Sequence, residues 1–285
     1  MGEMMSKEKK PIYDKNGNVI GEFYPKKQKQ RYKIFDGSPK GFFPKGVTTP
    51  LSGKFGLIGL LWWSENSVYE AIENVLEYEL KKPVDERRDI FDRIKRKTKE
   101  IKDRAKNIGT DMHELAELYV LKKKYVEPVS EPLKTMFDKF KKFWKTTNFE
   151  IIASEQSFYS PTLNTCGTVD LIVKGKKGIY KDKYGIIDFK TSKDFYPDMP
   201  VQISTYKALV EESTNYKIEF LAVVKIPKEK SVKVSMQPFT IKEEYLTAFK
   251  YCKFLDRISE QFKERKQQIE NQLATKKIKG EHNVQ

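Results

Sequence analysis

The stretch from Phe149 to Thr191 constrains this chain most, because its apolar period is that of strands while its acids fall where strands should be dry. "FEIIASEQSFYS", "GTVDLIVKG" and "YGIIDFKTS" are rich in β-branched and aromatic residues, and turn-like "SPTLNTC" and "KGKKGIYKDK" join them. They read as consecutive strands. Asp170 and Asp188 nevertheless stand among Val, Leu and Ile. A buried unpaired carboxylate costs several kcal/mol, so something beside these two must compensate them.

Upstream the period is helical. A helix is expected from about Ser64 to Lys82, with Val68, Ile72, Val75 and Leu80 at helical spacing and Pro83 stopping it. A longer one runs from Asp85, an N-cap candidate, to about Lys124, and Gly109 is expected to break or kink it. A third, Ser130 to Thr146, carries Leu133, Met136, Phe137, Phe140 and Trp144 on one face. Before these, "PIYDKNGNVIGEFY" reads as a hairpin about Asn16-Gly17, "PKKQKQRYK" as solvated chain, and "IFDGSPKGFFPKGVTTPLSGKFG" as a structured loop without the P-loop pattern.

After the strands, "PVQISTYKALVEES" returns to helical spacing, "YKIEFLAVVKIP" and "KVSMQPFTI" are strands, and a last helix starts near Lys242. This order predicts an α/β core with a central mixed sheet flanked by helices. The chain divides into a hairpin, loop and helical elaboration (1–108), a core (109–262) and a basic polar tail expected to be partly disordered (263–285).

The 55 Lys and Arg outnumber the 40 Asp and Glu, leaving a net charge of +15 that suits a polyanion, nucleic acid first and an anionic membrane surface second. Cys166 and Cys252 are far apart in sequence, which excludes a four-thiolate zinc or iron–sulfur site and fits reduced thiols in an intracellular protein. The start lacks the apolar segment of a signal peptide, and no apolar run reaches the ~18 residues of a membrane span. The expectation is a cytoplasmic protein, neither secreted nor membrane-bound.

Side chains alternate along a strand, so Asp188 and Lys190 point the same way. If the strands about Asp170 and Asp188 pair as a hairpin, the two acids meet at one end of it. They would repel unless a divalent cation sat between them, and oxygen ligands of this kind suit Mg²⁺ or Mn²⁺. Lys190 would then stand where an ammonium can orient an attacking water and offset charge on a phosphate. These residue types fit phosphodiester hydrolysis.

Gly109, Thr110 and His113 in "GTDMH", Glu155, Asp170 in "GTVD", Asp188 and Lys190 in "DFK", and Gln202 with Tyr206 follow one another in an order that resembles the PD-(D/E)XK nuclease superfamily, in its stand-alone RecB-like exonuclease branch. The resemblance covers about Gly109 to Ile226. It implies a restriction-endonuclease-like core and a place in DNA repair or recombination. It further implies His113, Asp170, Asp188 and the Phe189 carbonyl as metal ligands, Glu155 at a second ion or its water, and Lys190 as catalytic. Gln202 and Tyr206 are implied in support of Lys190 or of the nucleic-acid backbone.

Single strands bind in basic grooves with aromatic platforms. Phe42, Phe43, Trp62 and Trp63, with "RIKRKTKEIKDRAK" and its Arg93, Lys95 and Arg96, are the candidates for such a path. "LIGLLWWS" reads equally well as core. The expected activity is a metal-dependent exonuclease acting on DNA ends or single strands. A structure-specific or nicking endonuclease, or a non-catalytic nucleic-acid-binding module, are the alternatives.

Overall fold

Gly17 takes a φ of 83°, and the Asp14 carboxylate accepts the backbone N–H groups of Asn16 and Asn18, both at 2.9 Å. These local bonds close the hairpin of β1 (Lys10–Tyr13) and β2 (Val19–Phe23). The computed structural model describes residues 9–25, 30–52, 57–79, 81 and 90–281; the side chains of 57–65, 79, 90–91 and 273–281 are outside that description. Leu80, Pro83, Asp85, residues 26–29 of the Lys-rich segment after Tyr24, and the side chains of Trp62 and Trp63 therefore lie outside the described residues.

Part of the segment read as solvated is structure. Tyr32 and Ile34 are buried in β3 (Tyr32–Ile34), which pairs with β2 and completes a three-stranded sheet. The following loop contains a helical turn, α1 (Thr48–Ser52), whose Leu51 enters the main core. Helices α2 (Leu57–Glu79) and α3 (Ile90–Val120) follow, the first beginning upstream of the expected Ser64 and the second ending before Lys124. Gly109 does not interrupt α3. A Cβ there would stand 3.1 Å from Thr191 Oγ1, so the glycine lets the helix pass close to the end of a strand. The expected division between 108 and 109 thus falls inside one continuous helix. α4 (Leu133–Trp144) buries Met136, Phe137 and Phe140, as its spacing requires.

The main sheet has the order β4 (Phe149–Ser160), β5 (Thr165–Gly175), β6 (Tyr184–Lys190), β7 (Ile218–Lys225) and β8 (Ser235–Phe239). Only β6 and β7 run parallel, joined through α5 (Asp198–Ser213), and the sheet is mixed. One face buries Leu171, Val173, Ile187 and Phe189 with Met112 and Ala116 of α3 and Phe137 and Phe140 of α4. The other buries Ile172, Ile186, Leu221 and Val223 with Leu209 of α5 and Phe249 of α6 (Glu243–Glu281). The fold is mixed α/β. α6 extends to Glu281, through most of the segment expected to be partly disordered: its Lys, Glu, Gln and Leu residues are good helix formers, and polarity alone does not melt a helix begun against the core. Among the described residues no helix is long and apolar enough to cross a membrane.

Candidate active site

The ladder between β5 and β6 runs from Lys174↔Tyr184 to Leu171↔Ile187 and stops there. The next positions in that register are Asp170 and Asp188, so the two acids stand opposite each other where the strands part. On the other side of β5, the pairs Ser154↔Leu171 and Gln156↔Val169 bracket Glu155 and place it opposite Asp170. Glu155, Asp170 and Asp188 thus form one row across three strands. Glu155 has a φ of 48°, a left-handed conformation that a non-glycine residue holds only when its surroundings enforce it. Lys10 Nζ of β1, 3.3 Å from the Glu155 carbonyl oxygen, is part of those surroundings.

His113 arrives from α3, one turn beyond the close pass at Gly109, and its Nδ1 lies 3.5 Å from Asp170 Oδ2. The imidazole also meets the Phe189 ring edge-on, with centroids 6.1 Å apart. Ligand atoms of His113, Glu155 and Asp170 all fall within 4.8 Å of one another, a half-buried group that could hold a metal ion. Glu155 thus stands beside His113 and Asp170. Asp170 Oδ2 also accepts the backbone N–H of Phe189 at 2.7 Å. In a strand the N–H and C=O of one residue point to the same side, so the Phe189 carbonyl is directed toward Asp170 as well.

Burial, with the neighbouring Asp188 charge, pushes the Asp170 carboxyl up to about 6; His113, Lys190 and the Phe189 N–H only partly offset this. Asp188 is almost fully buried and lies outside the three-residue group. Its Oδ2 faces Lys190 Nζ at 2.6 Å, an ion-pair contact without the direction of a hydrogen bond. Burial pulls the Lys190 ammonium down, but Asp188 and Asp170 outweigh it and the net displacement is upward. Lys190 is held protonated.

Gln202 Nε2 donates to the Tyr206 hydroxyl at 2.8 Å, both within buried α5. Burial first, and Asp188 second, raise the Tyr206 phenol well above its ordinary value. The glycine of "GTVD" has a reason here: a Cβ on Gly167 would meet the Tyr206 ring at 2.8 Å. Tyr206 packs into the space that Gly167 leaves. Sequence reasoning missed this fit, as it missed Lys10 and the chain of hydroxyls Tyr32, Thr168 and Ser157, with contacts of 3.2 and 2.8 Å. Only the fold brings β1 and β3 against β4 and β5.

Arg93, Lys95 and Arg96 do not join the cluster. At about 1.5 Å per residue along α3 they lie between about 25 and 30 Å from His113. Arg93 stacks over Tyr78 of α2 at 5.1 Å, and Lys95 lies 3.9 Å from Asp92. Phe42 packs edge-on against Tyr159, while Phe43 is exposed. Comparison of the chain with protein-family models gives no match, and comparison with curated proteins gives none either.

Proposed function

We propose that the protein is a metal-dependent deoxyribonuclease with a restriction-endonuclease-like core, hydrolysing phosphodiester bonds at DNA ends or in single strands. The observation that carries this reading is the meeting of His113, Glu155 and Asp170 where β5 and β6 part, with the Asp188–Lys190 pair beside them. The order of those residues along the chain, which resembles that of PD-(D/E)XK nucleases, supports it further.

The donor set fits Mg²⁺ or Mn²⁺. Hard carboxylate oxygens dominate it, the single imidazole suits Mn²⁺ especially, and the crowded charge that raises Asp170 is what a divalent cation relieves. His113, Glu155 and Asp170 would hold the ion, with Asp188 and the Phe189 carbonyl adjoining. When bound, such an ion supplies Lewis acidity toward a phosphoryl oxygen and makes a coordinated water more acidic.

The chain's own groups do the rest. The Lys190 ammonium, kept charged and in place by Asp188, faces the position of the reacting phosphate and offsets the negative charge that grows there. Gln202 holds the Tyr206 hydroxyl, whose ring packs at Gly167, and Lys10 meets the Glu155 carbonyl. The test uses purified protein on linear and covalently closed single-stranded DNA with Mg²⁺, Mn²⁺ or EDTA. Metal-dependent loss of the linear strand alone establishes an exonuclease. Cutting of the circle establishes an endonuclease instead, and an inert protein with Mn²⁺ overturns hydrolysis altogether.

A further inference from the structure

Helix α6 has two apolar faces, and only one of them meets the core. Phe249 and Cys252 are buried against α5 and the sheet, and Lys45 pairs with Asp256 and Glu260 on the same side. A second set, Tyr251, Phe254, Leu255, Ile258, Phe262 and Ile269, is exposed, Tyr251 at 66% and Phe262 at 73%. At ~100° per residue these six fall within an arc of about 100°, a continuous stripe about 27 Å long.

The charges nearest the stripe, alongside residues 250–270, are basic. On the same rotation Arg265 lies inside it and Lys266 and Lys250 come next to its edges; Arg257 and Glu270 stand equally far from it, and Asp256, Glu260, Glu264, Lys253 and Lys263 lie farther round. Arg257 stacks over the Phe254 ring at 5.4 Å. A second copy of the helix laid on this stripe would bury Arg265 among apolar side chains with no acid inside the arc to pair it. A membrane is a poor fit too, because Arg265 falls inside the stripe between Phe262 and Ile269, where an inserting face would be apolar. Exposed aromatic faces interleaved with Lys and Arg suit single-stranded nucleic acid, whose bases stack on rings and guanidinium planes while its phosphates meet cations.

α6 also reaches the end of the sheet that carries the acids. The β4–β5 hairpin continues past Asp170 for the five pairs from Gln156↔Val169 to Ser160↔Thr165, about 17 Å at ~3.3 Å per residue. Lys253 of α6 binds the tip of that hairpin through the Leu163 and Asn164 carbonyls. α6 is thus anchored at the end of the sheet where β6 delivers Asp188 and Lys190.

We propose that the exposed stripe of α6, centred on Tyr251, Phe254 and Phe262, is a docking surface for single-stranded nucleic acid, holding nucleotides several positions away from the bond at the metal-ligating cluster. The inference rests on the nuclease reading for its geometry, and its test is independent of hydrolysis. Fluorescence anisotropy in EDTA compares a labelled 30-residue oligodeoxythymidine with a 5-residue one, for wild type, Phe254→Ala/Phe262→Ala, and Phe254→Tyr/Phe262→Tyr. Stacking worth ~1–3 kcal/mol per base predicts that the alanine variant binds the long strand at least about 10-fold more weakly, with the short strand unchanged and the tyrosine variant near wild type. Unchanged affinity for the long strand overturns the proposal. So does equal loss on both lengths, or an alanine effect seen only in binding to vesicles containing phosphatidylserine or in the sedimentation of a dimer. The same assay on Asp188→Ala is expected to match wild type. If hydrolysis is never found but the length-dependent loss appears, the nuclease reading fails while the docking surface stands.

Discussion

Between Val173↔Gly185 and Leu171↔Ile187, β5 and β6 are laddered and carry buried apolar side chains; one position further, at Asp170 and Asp188, the ladder has ended and the side chains are acids. The same two strands thus supply a core and a site, and the change happens within one residue pair. Below the break the backbone is satisfied by its partner strand. Above it the Phe189 N–H turns to the Asp170 carboxylate, and two negative charges share a partly dry volume. The lesson is that apolar strands on either side hold the acids close despite their repulsion, and that stored repulsion makes the place receptive to a cation.

The comparison is sharpened most by substitutions on either side of the break. Asp170→Asn or Lys190→Ala is expected to reduce hydrolysis of linear single strands on the order of 1,000-fold while binding in EDTA stays within about threefold. Leu171→Ala, one residue away, is expected to do the reverse. It should cost about 2–5 kcal/mol in urea unfolding, as large-to-small core changes do, with activity per folded molecule largely kept. Stability loss in both variants with activity loss in neither would erase the distinction between the two halves.

A pH effect should be confined to the upper half. In the metal-free protein the Asp170 carboxyl, raised from 3.8 to about 6, keeps its proton over a range where the unfolded chain has released it. The contribution of Asp170 to stability therefore falls as pH rises from about 4 to about 6 and levels off above, on the order of 3 kcal/mol. It runs against the opposite contributions of Glu22 and Glu131, whose carboxyls are lowered. Asp170→Asn should flatten this part of the curve in urea titrations, and Mn²⁺ should restore stability above pH 6 in wild type only. A wild-type curve that does not fall relative to that of Asp170→Asn across the window would contradict the burial and crowding of Asp170.

Gly167→Ala and Lys10→Ala test how the site is supported. The first drives a methyl into the Tyr206 ring and should cost about 1–3 kcal/mol, detected as a lower Tm. The second removes the ammonium from the Glu155 carbonyl, and the expected change is smaller: a loss of Mn²⁺ affinity of a few-fold by calorimetry with Tm nearly unchanged. Lys10→Arg should recover most of it. A Lys10→Ala protein with wild-type Mn²⁺ affinity would show that Glu155 holds its turn without help.

Asp170, Asp188 and Lys190 were legible in the sequence because strand alternation and an apolar context fix both their direction and their cost. That His113 stands beside Asp170 was legible only through its order among the other motif residues, since nothing local to a helix tells which neighbours a histidine will meet. The left-handed turn at Glu155, its lysine from β1 and the fit of Tyr206 into Gly167 were not legible, because each depends on segments far apart in sequence meeting in space. α6 was cut short at Phe262 because the polar composition beyond it resembles a solvated tail. The apolar spacing that carries the helix to Phe262 is legible, and its continuation to Ile269 is apparent only once the helix is seen to leave the core.

The central claim is that His113, Glu155 and Asp170 hold one divalent cation at the break between β5 and β6. Crystals grown with Mn²⁺ and measured for its anomalous scattering test this directly. The account predicts one strong peak ligated by these three residues, with Asp188 or the Phe189 carbonyl adjoining, and no peak there in His113→Ala/Asp170→Asn. An anomalous map featureless at this cluster, or a peak on other residues, would contradict it.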